Sequence, residues 1–313
     1  MKKITLVLSS IFVLTLASLK ADAQYYFYDD EYYDNDVIFE IGGSLNAMNC
    51  LTDLGGKKGI GKRFFKDLNT GKTHVAGGVF FSAMYRNALG LRLEGTFGKL
   101  SADDNVLAGV GNDIAKERYN RNLNFRTTIA EGSLMAEIHP LYIFIDYAES
   151  DAYPPRFSPY ILAGVGYFSY NPQGQVPGTN NWVDLQPLST EGQGFPEYPD
   201  RKPYKLQQIN VPVGGGVKYE LNRLFNLRAE AVYRILNTDY LDDVSTTYVT
   251  PASFQSNFTP TKAALAQAMS DKQFVKRPNT IGGKGKRGSP AEKDAYFSIN
   301  LKISLILGRN KIR

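Results

Sequence analysis

One stretch near the end of the chain reads Phe297-Ser298-Ile299-Asn300-Leu301-Lys302-Ile303-Ser304-Leu305-Ile306-Leu307. Apolar residues occupy its odd-numbered positions, and polar residues occupy the even-numbered positions up to residue 304. A period of two over about ten residues predicts a β-strand with one apolar face and one polar face. This pattern is typical of a barrel whose outer wall meets lipid and whose inner wall lines a polar lumen. In a chain that is not exported, it would indicate only a half-buried strand.

The first 23 residues have the features of a secretory signal peptide. Lys2 and Lys3 precede a mainly apolar run over residues 4–19, and Ala21-Asp22-Ala23 supplies a small-x-small cleavage site. We therefore expect residues 1–23 to be removed before Gln24. No cysteine stands at the cleavage point, so we do not expect a lipoprotein. Residues 24–36 alternate tyrosine with acidic side chains, and they form either a disordered segment or a periplasmic contact surface.

Composition favours a β-rich membrane protein. After Gln24 no window approaches the roughly 18–20 continuous apolar residues of a membrane helix. The chain has 20 Tyr, 18 Phe and 29 Gly against one Trp, which suits strands with aromatic girdles. The net charge of +5 falls to about +3 without the signal peptide, which carries three lysines and one aspartate, and this is too mild to predict nucleic-acid binding. Cys50 is the only cysteine, which excludes an intrachain disulfide framework; it is an unpaired small residue or it pairs with another chain.

The same alternation recurs in seven further segments and gives eight predicted strands in all. Six of them lie within residues 37–47, 75–85, 89–97, 160–170, 209–219 and 227–235. The segment 160–170 is apolar on both faces, so its orientation stays open. In residues 123–138 the apolar positions change phase between Ile129 and Leu134, which predicts a bulge. An even count of eight closes a small up-and-down barrel over residues 37–307.

The predicted connections alternate between short and long. Strands two and three are joined by little more than Asn87-Ala88, and strands six and seven by about residues 220–226. The other links are long, at residues 49–73, 102–122, 171–206 and 237–292. Long extracellular loops and short periplasmic turns are typical of an outer-membrane barrel, with both termini in the periplasm. A soluble β-sandwich or lipocalin-like barrel, the alternative, would not need this alternation.

Two segments depart from the simple scheme of strands and turns. The inner connection over residues 139–156 is long and aromatic, so it either extends two strands or forms a docking surface. In the last loop, residues 261–272 are rich in alanine and predict a short helix. The last six residues, 308–313, form a basic tail that we expect in the periplasm.

The inward faces of the predicted strands carry charges of both signs. The interior of an eight-stranded barrel is just wide enough for side chains to fill it. Because an unpaired buried charge costs several kcal/mol, these groups are expected to pair. The sequence therefore predicts a plugged lumen rather than a pore, with a charge network of Glu40, Arg92, Glu94, Arg126, Glu131, Lys218, Arg228, Glu230, Arg234 and Lys302.

Other patterns in the sequence do not predict catalysis or cofactor binding. Residues 56–63 have the spacing of a phosphate-binding loop, but Arg63 replaces the required Ser or Thr. His74 and His139 fall near opposite rims, so they form no shared metal or catalytic site; a Ser–His lipid esterase would need His74 and a nearby serine. The aspartates at 239, 242 and 243 lack the spacing of a calcium loop and indicate a solvated loop base. We expect no enzyme, no cofactor, no bound metal and no small-molecule substrate.

Four parts of the sequence carry a family resemblance. They are residues 40–46 with 51–56, residues 91–104, residues 118–126, and Asn237-Thr238-Asp239-Tyr240-Leu241-Asp242-Asp243-Val244-Ser245-Thr246-Thr247-Tyr248. Together they resemble the PorG-like outer-membrane barrels of Bacteroidetes, over most of residues 37–307. Two features depart from that family: loops three and four are enlarged, and Cys50 stands where an aromatic residue is expected.

The resemblance implies a role in type IX protein secretion. The implied partners are outer-membrane lipid and the periplasmic ring formed by a lipoprotein and its partner, which the barrel would anchor or organise. The alternative is a surface adhesion or ligand-binding barrel that acts through its outer loops. The residues expected to face the periplasmic partner are Tyr142, Phe144, Tyr147, Arg223, Phe225, Arg309 and Lys311.

Overall fold

A computed structural model describes residues 36–56, 69–144, 155–278 and 282–307 of the protein. Its main feature is a set of long antiparallel strands. The strands are β1 (Val37–Leu51), β2 (His74–Tyr85), β3 (Leu89–Asp103), β4 (Asn124–Ile138), β5 (Phe157–Ser169), β6 (Gln173–Gln175), β7 (Trp182–Asp184), β8 (Gln207–Glu220), β9 (Phe225–Leu236) and β10 (Ala295–Leu307). The helices are α1 (Asp113–Arg121), α2 (Pro140–Phe144), α3 (Pro251–Asn257) and α4 (Pro260–Ser270), with 3₁₀ turns at Thr70–Lys72, Asp104–Leu107 and Gln186–Leu188.

Eight of these strands form a closed barrel. Their order is β3-β2-β1-β10-β9-β8-β5-β4, and the pairing of β3 with β4 closes the circle. The strands at the two ends of the chain are neighbours, with Phe39 opposite Leu307 and Leu51 opposite Ala295. The prediction of an eight-stranded antiparallel barrel with long loops at one end and short turns at the other is confirmed. The short strands β6 and β7 form a hairpin that pairs with β4 through Arg126 and Gln173.

The outer wall is apolar, as the alternation predicts. Ile299 and Leu93 are each 60% exposed, and their neighbours Asn300 and Glu94 point inward and are buried. On β3 the outward residues from Leu89 to Phe97 are apolar or glycine, and Lys99 is the first outward charge. This span of nine residues matches the roughly 9–11 residues that a tilted strand needs to cross a bilayer. Among the described residues, no helix is long and apolar enough to span a membrane.

Strand β4 corrects the predicted phase change. Its pairing with β3 is continuous from Asn124 to Ile138, and exposed and buried residues alternate along it without a bulge. Phe125 and Ile129 therefore point into the barrel rather than to the outside. They are apolar because the loop end of the lumen is filled by a hydrophobic core rather than by charges. Strand β5, whose orientation the sequence leaves open, places Tyr160 and Phe168 inside.

The long connections fold over one end of the barrel. We call this layer the cap; it consists of the described parts of residues 104–123, 171–206 and 237–294. Helix α4 confirms the predicted helix at 261–272 to within two residues. The cap has its own hydrophobic core, formed by Leu185, Leu188, Phe195, Val249, Phe254, Ala263, Ala266 and Met269.

Candidate functional site

The lumen next to the short turns contains a continuous network of ion pairs. Arg228 contacts Glu40 at 2.7 Å and Glu137 at 2.8 Å. Arg92 contacts the same Glu137 at 2.9 Å and Glu230 at 3.0 Å. Lys302 contacts Glu230 at 2.8 Å and also Glu94. All of these side chains are almost completely buried, so they are shielded from the solvent outside the barrel.

The ring of Phe80 lies at the centre of this network. The guanidinium carbons of Arg228 and Arg92 lie 5.5 and 5.8 Å from the ring centroid, and Nζ of Lys302 lies 5.2 Å from it. The negative face of an aromatic ring attracts cations at this distance. Gly42 makes room for this ring, because a Cβ there would lie 2.7 Å from its carbon atoms.

A second, smaller cluster lies closer to the cap. Arg234 donates to Glu131 at 3.0 Å and to the hydroxyl of Ser298 at 2.6 Å. The Tyr296 hydroxyl donates to the same carboxylate at 3.1 Å. Above it, the hydrophobic core that includes Phe125, Leu241 and Val244 joins the barrel interior to the cap. Paired charges in the middle of the lumen and packed apolar side chains at its cap end close it, and a small apolar cluster of Ile38, Met84 and Ile306 lies at the short-turn end.

The structure brings together nine of the ten residues predicted for the charge network. The exception is Arg126, which lies on the outer wall because β4 keeps one phase throughout. Because of the same error in phase, Glu137 was not predicted as part of the network, although it is buried and contacts both Arg92 and Arg228. A prediction with unbroken alternation through residues 124–138 would have placed Glu137 inside the barrel. With Glu137 the paired set is balanced, with five carboxylates (Glu40, Glu94, Glu131, Glu137, Glu230) and five cations (Arg92, Lys218, Arg228, Arg234, Lys302).

The cap is held by buried charges of its own. Arg287 contacts Glu191 at 2.9 Å, and Asp243 lies 3.7 Å from the same guanidinium. Arg121 pairs with Asp104 at 2.8 Å. The expectation of a solvated acidic loop base is wrong, because Asp242 and Asp243 are fully buried. Asp242 accepts from the backbone amides of Leu54 and Val244, and Asp243 accepts from the hydroxyls of Thr190 and Tyr204.

Burial changes the protonation of several cap carboxyls. It raises the pKa of Asp243 to about 6, against the opposing effect of the Arg287 charge. It raises the pKa of Asp239 to about 7, to which the nearby Asp53 and Glu191 charges also contribute. Asp242 and Asp294 are fully buried, and desolvation raises the pKa of both; the Asp53 charge adds to the effect at Asp242, and the Asp242 charge adds to it at Asp294. Near neutral pH these carboxyl groups therefore hold more protons in the closed cap than they would in an open, solvated cap.

The two histidines lie at opposite ends of the barrel. His74 begins β2 at the cap end, and its Nε2 lies 2.7 Å from the hydroxyl of Ser101. No described carboxylate contacts the other ring nitrogen of His74, so this pair lacks the third group that orients a catalytic histidine. His139 follows β4 at the other end and contacts Ser158 at 2.9 Å. Within the described residues, no group of three or more His, Cys, Asp or Glu side chains is placed to hold a metal ion.

Cys50 is a buried free thiol beneath the cap. Its sulfur lies 3.8 Å from the carbonyl oxygen of Ser101, and 8% of the residue is exposed. Cys50 lines a cavity of about 440 Å³ together with residues 51–54 and 291–295, so a disulfide with another chain would have to form through that cavity or after the cap opens. The glycine- and lysine-rich segment over residues 56–63 lies outside the described residues except for Gly56.

The residues expected to contact a partner are partly described. Phe144 ends α2 at the short-turn rim and is 83% exposed, while Phe225 is 37% exposed at the start of β9. Tyr142 is half-buried, and its hydroxyl donates to the carbonyl of Pro155 at 3.2 Å. Arg223 lies in the turn between β8 and β9. Three predicted contacts, Tyr147, Arg309 and Lys311, lie outside the described residues, as do the signal peptide, all of residues 24–35 and the basic tail.

No protein-family model and no curated protein matches the chain. Solved structures of bacterial outer-membrane proteins are similar to it at low identity. The attachment invasion locus protein Ail of Yersinia pestis is 7% identical, with 87% of this chain and 97% of that chain covered and a TM-score of 0.34. Neisserial surface protein A is 9% identical, with 85% and 96% covered and a TM-score of 0.36. A major outer membrane protein of Thermus thermophilus is 12% identical, with 86% and 99% covered and a TM-score of 0.37.

Proposed function

We propose that this chain is an integral outer-membrane barrel that anchors or organises the periplasmic ring of a type IX secretion system. In this proposal it acts without catalysis, and both termini lie in the periplasm. The observation that carries the proposal is the closed lumen. Because the charge network and the hydrophobic core fill the barrel, the lumen between the described strands offers no route for a solute. This supports a role in binding, which we assign to one of the two ends of the barrel.

The short-turn end is the end we assign to the periplasmic partner. Phe144 is 83% exposed on α2, beyond the last residue of β4, and Ile143 beside it is 48% exposed. Exposed aromatic side chains on a rigid rim are typical anchors of protein interfaces. The type IX assignment itself comes from the resemblance of residues 40–46, 91–104, 118–126 and 237–248 to PorG-like barrels.

A site-specific crosslinking experiment tests this assignment. A photoreactive amino acid replaces Phe144 in one variant and Phe274, which is 56% exposed in the cap, in a matched control. We expect the periplasmic ring proteins to be crosslinked at position 144 and not at position 274. Recovery of no ring protein from either variant, with the barrel correctly folded, would refute the proposal.

The second candidate function is ligand binding or adhesion through the cap. It is favoured by one observation, namely that the long loops have a packed core and present a fixed surface. Phe274 and Val275 are 56% and 68% exposed on that surface. Neither residue belongs to the cap core, so we expect that core to stay intact when both are replaced with serine. If the protein acts through its cap, this change should abolish surface binding. If it acts through its short-turn end, the change should leave secretion unchanged.

A further inference from the structure

A groove runs along the outer wall of the barrel, across β2, β3, β4 and β5. Its volume is about 540 Å³, which lies within the range of about 300–1,000 Å³ that is common for small-molecule sites. Its floor consists of the outward glycines Gly77, Gly95 and Gly132. Val79, Phe97 and Tyr167 form its walls.

The barrel does not need these glycines for its own packing. Gly95 and Gly132 are opposite each other in the β3–β4 pairing. A Cβ added at either position would meet no atom within 4 Å, and one at Gly77 would meet only a backbone oxygen at 3.8 Å. At many other outward positions the wall holds larger residues, such as Leu93, Ile299 and Val79. The glycines therefore leave space that larger residues would fill without strain.

A polar pocket of about 350 Å³ lies beside the groove on the cap side. It includes Lys99 and Thr128, each two positions closer to the cap than the groove residues Phe97 and Ala130. Arg126 lies diagonally across from Lys99 in the β3–β4 pairing, within reach of the same small ligand. The boundary between apolar groove and basic pocket coincides with the upper edge of the apolar outer wall on β3.

The side chain of Arg126 is held in place by its neighbours, but its two terminal nitrogens can still donate hydrogen bonds. Its Nε donates to Gln173 at 3.1 Å, and its guanidinium lies 4.4 Å from the ring centroid of Trp182. Among the described residues, nothing accepts a hydrogen bond from its two terminal nitrogens. Neither Arg126 nor Lys99 forms an ion pair with a described carboxylate; Asp184 accepts from Gln173 at 2.8 Å, and Asp103 pairs with Lys72 at 3.6 Å. Two cations are thus left for an external anion.

We propose that this part of the wall binds a phosphorylated, acylated lipid of the outer leaflet. The phosphate contacts Lys99 and Arg126, and one acyl chain occupies the glycine groove. A guanidinium fork matches phosphate oxygens, and ion-assisted hydrogen bonds of this type are among the strongest in proteins. The apolar groove lies next to the basic pocket, and the pocket is on the cap side. One lipid can therefore place its acyl chain in the groove and its head group in the pocket. The inference rests on the membrane placement and orientation proposed above, and not on the secretion role.

Native mass spectrometry of the detergent-purified full chain tests the proposal. The probes are diphosphoryl lipid A and the same lipid A after removal of its phosphates. The wild type should retain the phosphorylated form about tenfold more tightly, a difference of about 1.4 kcal/mol. Lys99→Gln with Arg126→Gln should abolish this preference, whereas Lys116→Gln with Lys202→Gln, two exposed lysines of the cap, should preserve it.

Filling the groove tests the acyl part of the site. Gly95→Leu with Gly132→Leu should weaken binding of both lipid forms about tenfold, while Ala229→Leu with Ala231→Leu on the outward face of β9 should not. Correct folding of each variant is checked by its heat-dependent gel migration. The proposal is overturned if the Lys99/Arg126 variant keeps the phosphate preference, if the filled groove binds as before, or if inorganic phosphate alone displaces the lipid. These readouts involve no ring protein, so they are independent of the secretion assay.

Discussion

Nη1 of Arg228 lies 2.8 Å from Oε2 of Glu137, although the two residues belong to β9 and β4 on different parts of the barrel wall. The same guanidinium reaches Glu40 on β1 at 2.7 Å. One side chain thus joins three strands across the lumen. Its charge is compensated only inside the closed barrel, where water cannot replace either carboxylate.

Arg228→Met should destabilise the barrel strongly. The change leaves Glu40 and Glu137 buried with fewer partners, and removing one member of a buried pair costs about 3–5 kcal/mol. Urea-induced unfolding in lipid vesicles, followed by Trp182 fluorescence and gel migration, measures the loss. Lys116→Met removes an exposed cap pair with Asp113 and should leave the free energy of unfolding unchanged. Equal stability of the two variants would contradict a structural role for the network.

The reconstituted protein should not conduct ions. Five carboxylates and five cations pair within the lumen, and the core containing Phe125, Leu241 and Val244 blocks its cap end. Planar bilayer recordings of the wild type should therefore show no conductance steps. Stable steps at modest voltage, from protein with the migration of the closed barrel, would show that the lumen opens and that the binding role needs revision.

The stability of the closed cap should fall as the pH rises from about 4 to about 7. Burial raises the pKa of Asp239 to about 7 and that of Asp243 to about 6, while an opened cap returns both toward their ordinary value near 3.8. Between those limits the closed state binds more protons than the open state, so each rise in pH favours opening. Below about pH 4 both states are protonated and the stabilisation is complete.

Cys50 provides the measurement for this pH dependence. A neutral thiol reagent should label it several-fold faster at pH 8 than at pH 5, after normalisation to the unfolded chain at each pH. Asp239→Asn keeps this side chain uncharged at every pH, so it should reduce the dependence. If labelling of Cys50 slows as the pH rises, the result would contradict the prediction that a higher pH favours opening of the cap.

Two glycines with the same substitution should behave differently. A Cβ at Gly42 would lie 2.3 Å from the carbonyl oxygen of Ile303 and 2.7 Å from the Phe80 ring, whereas one at Gly95 meets nothing within 4 Å. Gly42→Ala should cost about 1–3 kcal/mol of stability because the lumen is overpacked. Gly95→Ala should be close to neutral. Urea unfolding of the two variants in the same vesicles compares them directly, and similar midpoints would argue against tight packing around Phe80.

The barrel was largely predictable because its strands have one face in each environment. Residues 297–307 lie in β10, where the lumen is polar, and their alternation is clear in the sequence. Residues 123–129 lie at the cap end, where the lumen is apolar and the outer face, with Arg126 and Thr128, is polar. The apolar face of β4 is therefore the inner one at this end and the outer one in the rest of the strand. Reading the apolar face as the outer one throughout placed Arg126 inside and concealed Glu137.

The cap was much less predictable. The helix at 261–272 follows from local propensity, and it was predicted. The burial of Asp242, Asp243 and Arg287 depends on contacts between loops that are far apart in the sequence, such as the pairing of Arg287 with Glu191. In a single sequence, a buried aspartate in a loop looks like a solvated one.

The pairing of β1 with β10 sets a condition on assembly. Lys302 belongs to the last strand, and its partner Glu94 lies 208 residues earlier in the chain. Until β10 arrives, Glu94 and Glu230 lack this cation, and the sheet has two open edges that lipid cannot hydrogen-bond. Contacts this distant in sequence form late, because a long segment must first be ordered. Charge compensation, closure of the sheet edges and entry into lipid therefore depend on one event, the arrival of the last strand.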